Sequence, residues 1–102
     1  MANYVKVASV SQVAPGSGIV TSVNDKEVAV FNVDGTFYAI DNVCKHRGGP
    51  LGEGELDSDT VTCPWHGWQY NVKTGVCLTK EGITMDRYDV RVVNEDIEIA
   101  VP

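Results

Sequence analysis

No apolar run in this chain approaches the ~20 residues that a membrane-spanning helix needs. Its first residues, MANYVKVASV, show no basic segment leading into an apolar one, so neither a membrane span nor a signal peptide is expected. Positive charge is scarce, with 8 Lys and Arg against 14 Asp and Glu, for a formal net charge of −6. Such a surface repels nucleic acid and anionic membrane. It either does no more than maintain solubility or suits a basic patch on another protein. Cysteine is limited to three residues and histidine to two. An odd cysteine count argues against a secreted disulfide scaffold and for a reducing compartment, the cytoplasm.

Sustained helical periodicity is missing as well. No segment keeps apolar residues at i, i+3, i+4 and i+7 over a helix's length, although Ser9–Val13 could form a helical turn. What the chain has instead is short β-rich runs separated by turn signals. Val28–Phe31 and Thr36–Ile40 are joined through Asp34-Gly35, a strong hairpin signal. TVTCP reads as a short strand. WQYNVKTGVCL is a second hairpin about Lys73-Thr74-Gly75, and DVRVVNEDIEIAV a third, turning at Asn94–Asp96. Near the start, strand-like pieces break at Pro15-Gly16. With 102 residues and 43% hydrophobic content, the expectation is one domain, residues 1–102, built as an all-β antiparallel sandwich or barrel.

The rare residues are not scattered. CKHRGGP, residues 44–50, and CPWHGWQY, residues 63–70, contain both histidines and two of the three cysteines. Cys44 and His46 are spaced C-x-H; 16 residues later Cys63 and His66 are spaced C-x-x-H. Each pair sits on a loop rich in glycine and proline, where a backbone can turn sharply and approach a ligand closely. Two thiolates and two imidazoles suit tetrahedral zinc, or a [2Fe–2S] cluster with cysteines on one iron and histidines on the other. Structural zinc sites pair like ligands at wider spacings. Here each loop contributes one of each kind, and C-x-H is a tight bite for one metal but a comfortable span across two irons. The spacing favours the cluster.

CKHRGGPL and CPWHGWQY resemble the two cluster-binding boxes of Rieske iron–sulfur proteins. The likeness extends to FYAIDNVCKH before them and RYDVRVVNEDIEI after them, essentially the whole chain. It implies a cluster-binding subdomain, roughly residues 42–83, inserted in an antiparallel β base. It further implies that Cys44 and Cys63 bind the inner iron and His46 and His66 the outer iron. Rieske subunits of quinol-oxidising complexes carry an extra cysteine in each box, forming a disulfide; here those positions are Gly49 and Trp65. Those subunits also have a serine where this chain has Trp68. Both differences point to the lower part of the Rieske potential range, from about −150 mV upward. One departure from the family is that the segment covering the cluster reads KEGITM, without the usual Gly-Pro.

The branch most resembled is the free Rieske-type ferredoxins of bacterial oxygenase systems. The implied function is that of a monomeric one-electron carrier, not an enzyme. It would pass electrons from a flavoprotein ferredoxin reductase to a terminal oxygenase. Two alternatives remain: a small subunit of a nitrite reductase, and a zinc-binding interaction module. Outside the four ligands, Cys77 is expected to be a buried small hydrophobe. Tyr70 is either core or a hydroxyl donor to the cluster. Trp65 and Trp68 either pack, or shield the cluster and mark a docking face. The acidic run EGELDSD, residues 53–59, is a solvated face or a partner contact.

Overall fold

The structure is a computed structural model and describes residues 3–101 apart from Asn24, Lys45, His46, Arg47 and His66. The described residues form ten strands: β1 Asn3–Ser9, β2 Gly18–Val23, β3 Lys26–Val33, β4 Thr36–Asp41, β5 Glu55–Asp57, β6 Thr60–Thr62, β7 Gln69–Asn71, β8 Arg87–Tyr88, β9 Val90–Val93 and β10 Asp96–Val101. The only helical turns among the described residues are 3₁₀ pieces at Val10–Gln12 and Leu51–Glu53. The first falls inside the Ser9–Val13 segment that the sequence marks out. Its entry is closed by the Ser9 N–H donating to Gln12 Oε1 at 2.7 Å.

Three antiparallel sheets result, with orders β1-β10-β9, β2-β3-β4-β8 and β5-β6-β7. The third lies wholly between β4 and β8 in the chain, so it is an insertion in the base formed by the other two. The β3–β4 hairpin turns through Asp34 (φ 52°) and Gly35 (φ 91°). Left-handed angles at both positions are what a two-residue hairpin needs to match the strands' twist. The β9–β10 hairpin is tighter than its sequence suggests. Val93 pairs with Asp96, leaving Asn94 (φ 58°) and Glu95 as the loop. The WQYNVKTGVCL hairpin does turn at Gly75 (φ 80°), but its second arm makes only a bridge, Tyr70 opposite Cys77.

Strand β3 joins the two halves. Alternate residues of a strand face opposite sides, and here both sides are covered. Val28 and Val30 enter the sandwich core with Val13, Ala39, Ile97 and Ile99. Ala29, Phe31 and Val33 enter a second core with Ile40, Leu51, Val61, Tyr70 and Val72. That second core lies beneath the inserted sheet and includes Cys44, Cys63 and Cys77. Gly18, opposite Phe31, leaves space for the ring; a Cβ there would lie 2.5 Å from Phe31 Cδ1.

Phe31 is fully buried and lies under the inserted sheet. Phe31→Ala should therefore cost about 3–5 kcal/mol of stability through lost burial and the cavity left behind. The shift in the denaturant midpoint, with an unchanged slope, measures it; a loss below about 1 kcal/mol would mean the ring bears little of this core.

Candidate metal centre

The first ligand loop leaves the end of β4 and returns on itself. Asn42 O accepts from Leu51 N–H at 2.8 Å, and Cys44 N–H donates to Gly49 O at 3.0 Å. Val43 and Pro50 form a bridge between them. Gly48, in a left-handed conformation (φ 76°), donates to Cys44 O at 2.8 Å. Cys44 is thereby placed at the last rung of a short antiparallel stem. The second loop closes the β6–β7 hairpin. Cys63 follows directly after β6, and its N–H donates to Trp68 O at 2.7 Å. Gly67 (φ 76°) makes the turn.

These two stems bring Cys44 and Cys63 together. Each is 2% exposed, and neither is in a disulfide. The Cys63 thiol lies within hydrogen-bonding reach of Cys44. Burial, above all, pushes its pKa upward. The Trp65 backbone N–H opposes that shift, while the Cys44 thiol beside it adds to it. A Cβ on Gly49 would lie 2.6 Å from Cys63 Sγ and 3.1 Å from Trp65 Cβ. The first loop's backbone thus presses directly on the second loop's sulfur. Gly49 and Trp65 also face each other, as positions able to carry a disulfide in other chains would have to.

Tyr70 is a core residue whose hydroxyl also reaches a sulfur. It is fully buried and packs in the second core, and its Oη lies 3.2 Å from Cys44 Sγ. Cys77, opposite Tyr70 across the bridge, is 5% exposed and accepts the Lys80 N–H at its sulfur at 3.3 Å. It is a packed residue of the same core. The KEGITM segment is closed by Cys77 N–H donating to Ile83 O at 2.9 Å, with the turn taken by Gly82 (φ 86°). The two tryptophans separate: Trp68 packs against the second core, whereas Trp65 is 50% exposed beside the loops. Val43, 44% exposed, adds a second apolar side chain at the rim. The acidic run forms the β5–β6 hairpin, with Glu53, Glu55 and Asp57 exposed to solvent.

His46 and His66 lie outside the described residues, so the structure places only the two thiol members of the four-ligand set. One residue was not singled out from sequence: Asn42, 1% exposed, whose side chain hydrogen-bonds at both ends. Its only local signal is a polar residue at the end of an apolar strand, which usually marks a turn.

Residues 3–93 match the Rieske [2Fe-2S] domain family. The chain belongs to the Rieske [2Fe–2S] family. Among curated relatives, the ferredoxin component of the naphthalene 1,2-dioxygenase/salicylate 5-hydroxylase systems of a Ralstonia species is 32% identical, over 90% of this chain and 89% of its own length. The biphenyl dioxygenase ferredoxin subunit of Pseudomonas sp. strain KKS102 is 41% identical, over 71% of this chain and 67% of its own. Among solved structures, the ferredoxin of carbazole 1,9a-dioxygenase from Nocardioides aromaticivorans IC177 superposes with a TM-score of 0.90. It is 29% identical, covering 98% of this chain and 99% of that one.

The Rieske site fits the residues that are described. Iron–sulfur clusters are held by thiolates, and the two buried cysteine sulfurs come together where the stems of the two loops meet. A thiol raised by burial keeps its proton until a metal displaces it, so loading this site releases protons. With Cys44 as an iron-bound thiolate, the Tyr70 hydroxyl would hold the proton of this pair, and the 3.2 Å contact would be a phenol donating to sulfur.

This contact sets a prediction. Reduction adds negative charge near the sulfurs, so the Tyr70 hydrogen bond stabilises the reduced state more than the oxidised one. A hydrogen bond to a charged acceptor contributes about 1.5–3 kcal/mol in total, of which the redox difference is about 1 kcal/mol. At ~59 mV per tenfold for one electron, Tyr70→Phe should lower the midpoint potential by roughly 40 mV with full iron content. An unchanged midpoint by voltammetry would leave Tyr70 with a packing role alone.

Proposed function

We propose that this chain is a one-electron carrier of an aromatic-ring oxygenase system. It would accept electrons from a flavoprotein ferredoxin reductase and deliver them to a terminal oxygenase. In this reading Cys44 and Cys63 hold one iron of a single [2Fe–2S] cluster, His46 and His66 hold the other, and residues 42–83 form the part that carries it. The observation that supports it most is the pair of buried thiols outside any disulfide, brought together by two loops and touched by a buried phenol, in a chain of the Rieske family.

The bound cluster would take up and give back one electron. The chain's own residues do the rest. Burial of Cys44 and Cys63 excludes water from the sulfurs, and the two stems hold them at a set distance. Tyr70 supplies the proton that a charged sulfur needs. Neutral imidazoles in place of two thiolates make electron addition less costly than in an all-cysteine cluster. The relatives are ferredoxin components of dioxygenase systems, and the protein is a carrier, not an enzyme.

Support for the oxygenase as acceptor comes from a solved complex of reduced oxygenase and oxidised ferredoxin in carbazole 1,9a-dioxygenase. The matching chain of that complex is 31% identical, with a TM-score of 0.87, over 95% of this chain and 92% of its own. The half-exposed Trp65 and Val43 beside the ligand loops give an apolar contact of the kind that interface centres favour. The flavoprotein donor rests on the same family reading. Three cysteines, none of them in a disulfide, favour the cytoplasm, and among the described residues no helix is long and apolar enough to cross a membrane. We expect the carrier to work as a monomer.

Chains titled as putative nitrite reductase small subunits share the fold at 19% and 22% identity. Likeness at that level carries the architecture and no activity. Zinc in the same ligands is decided by analysis of the metal. Anaerobically purified protein should be red-brown, with two irons and two acid-labile sulfides per chain. Stoichiometric zinc with no visible absorption would overturn the cluster reading.

Docking should depend on charge, because the chain carries a formal net charge of −6. Reduction by the flavoprotein should slow as ionic strength rises and the Debye length falls through ~10 Å at 0.1 M. A rate that stays flat from low to high salt would show that apolar contact alone governs the encounter.

A further inference from the structure

We infer that Asn42 is the positioning residue of the first ligand loop, and that Glu27 completes it. This rests on the reading of Cys44 as a cluster ligand. Asn42 lies two residues before Cys44 and is 1% exposed. All four of its polar groups are engaged. Its backbone N–H donates to Glu27 O at 3.0 Å and its backbone O accepts from Leu51 N–H at 2.8 Å. Its side-chain Oδ1 accepts from Gly52 N–H at 2.7 Å, and Nδ2 donates to Glu27 Oε1 at 3.0 Å.

The geometry makes this residue a clasp across the whole loop. Residues 43–50 carry Cys44, and both ends of that segment meet at Asn42: Val43 follows it in the chain, and Leu51 and Gly52 are bonded to it. On its other side, Asn42 is bonded to β3 through Glu27. Gly52 is itself pressed on the base sheet, since a Cβ there would lie 2.7 Å from Ile19 O. Leu51, beside it, is fully buried in the second core. One carboxamide therefore ties the start of the loop, the end of the loop and the base sheet to a common point. Cys44 lies two residues beyond that point, at the last rung of the stem, where its sulfur must meet both Cys63 and the Tyr70 hydroxyl.

A buried amide is costly unless every group is satisfied, and an apolar side chain would fill the same space without that cost. The amide does what an apolar residue cannot: it defines which N–H of the returning strand lies opposite. A loop free to slip by one residue would turn the neighbouring side chain, instead of the thiol, toward the site. The register of Cys44 is thus held by the Asn42–Gly52 bond, with Glu27 orienting the carboxamide so that its oxygen faces Gly52.

Two variants test this. Asn42→Leu keeps the branched shape, with a somewhat larger volume, and removes both side-chain bonds. Asn42→Asp made together with Glu27→Gln restores both, with the aspartate accepting from Gly52 N–H and the introduced glutamine amide donating to the other carboxylate oxygen. In the loaded protein, release of iron to a chelator, followed by bleaching of the visible absorption, should be about tenfold faster in Asn42→Leu, equivalent to about 1.4 kcal/mol in the barrier. The double variant should return to within about twofold of the parent, a residual of under half a kcal/mol. In the iron-free protein, amide exchange at Leu51 and Gly52 should rise about tenfold in Asn42→Leu while Val28 and Val30 in β3 stay protected, as in local opening.

Iron release at the parent rate in Asn42→Leu would overturn the inference, as would a double variant that fails to recover. Exchange that rises equally at Leu51, Gly52 and β3 would also overturn it, because Asn42 would then be serving general stability. A parent protein that takes up no iron would defeat the cluster reading, and the exchange measurement would still decide whether Asn42 holds the loop.

Discussion

Burial of β3 on both faces is the constraint from which the rest of the molecule follows. A strand covered on one side alternates apolar with polar residues; one covered on both reads as a continuous apolar run. Val28 to Val33 is such a run, VAVFNV, with every residue buried. Its even members support the sandwich and its odd members support the inserted sheet. The two halves cannot move apart without exposing one face or the other, so the stems that carry Cys44 and Cys63 stay anchored to the base. The one polar residue in the run, Asn32, is fully engaged: Nδ2 donates to Val13 O at 2.8 Å and Oδ1 accepts from Gly35 N–H at 2.7 Å. It closes the β3–β4 turn and anchors the segment leading from β1 to β2.

At the metal centre two opposing demands meet. Burying Cys44 and Cys63 keeps water from the sulfurs, yet at Cys63 it also raises the cost of the thiolate form. Metal binding resolves the conflict, since a bound cation neutralises the charge that burial would penalise. The loops answer the geometric half of the problem with stems closed by backbone hydrogen bonds, glycines at left-handed turns and a glycine where a Cβ would strike sulfur. Tyr70 answers the electrostatic half from beneath, on a strand of the inserted sheet. The rim above is left apolar and exposed at Trp65 and Val43, where a partner can approach.

Local signals were legible to the extent that they depend on a few consecutive residues. Asp34-Gly35 announces its hairpin because two left-handed positions in a row exclude most residue pairs. The C-x-H and C-x-x-H boxes announce themselves because few chemistries need those residues at those intervals. Asn94–Asp96 was read one residue too long, since the pairing of Asp96 with Val93 is a property of two strands and not of the turn alone. The second arm of the WQYNVKTGVCL hairpin is likewise shorter than its local signal suggests; its strand pairing is limited to the Tyr70–Cys77 bridge, and the chain turns again at Lys80–Gly82.

Sequence by itself determined the all-β class, the principal hairpins, the four-ligand pattern and the family to which that pattern belongs. Only the tertiary structure decided how the remaining side chains divide among core, rim and support. Trp65 and Trp68 are three residues apart and chemically identical, yet one faces solvent and the other the core. Tyr70 reaches Cys44 across 26 positions of chain, and Asn42 reaches both Glu27 and Gly52. Contacts of that range leave no periodic trace, because they are set by which strands lie against one another. A spacing rule reports the reach of the local backbone; the face a residue presents to a distant neighbour is settled when the sheets pack.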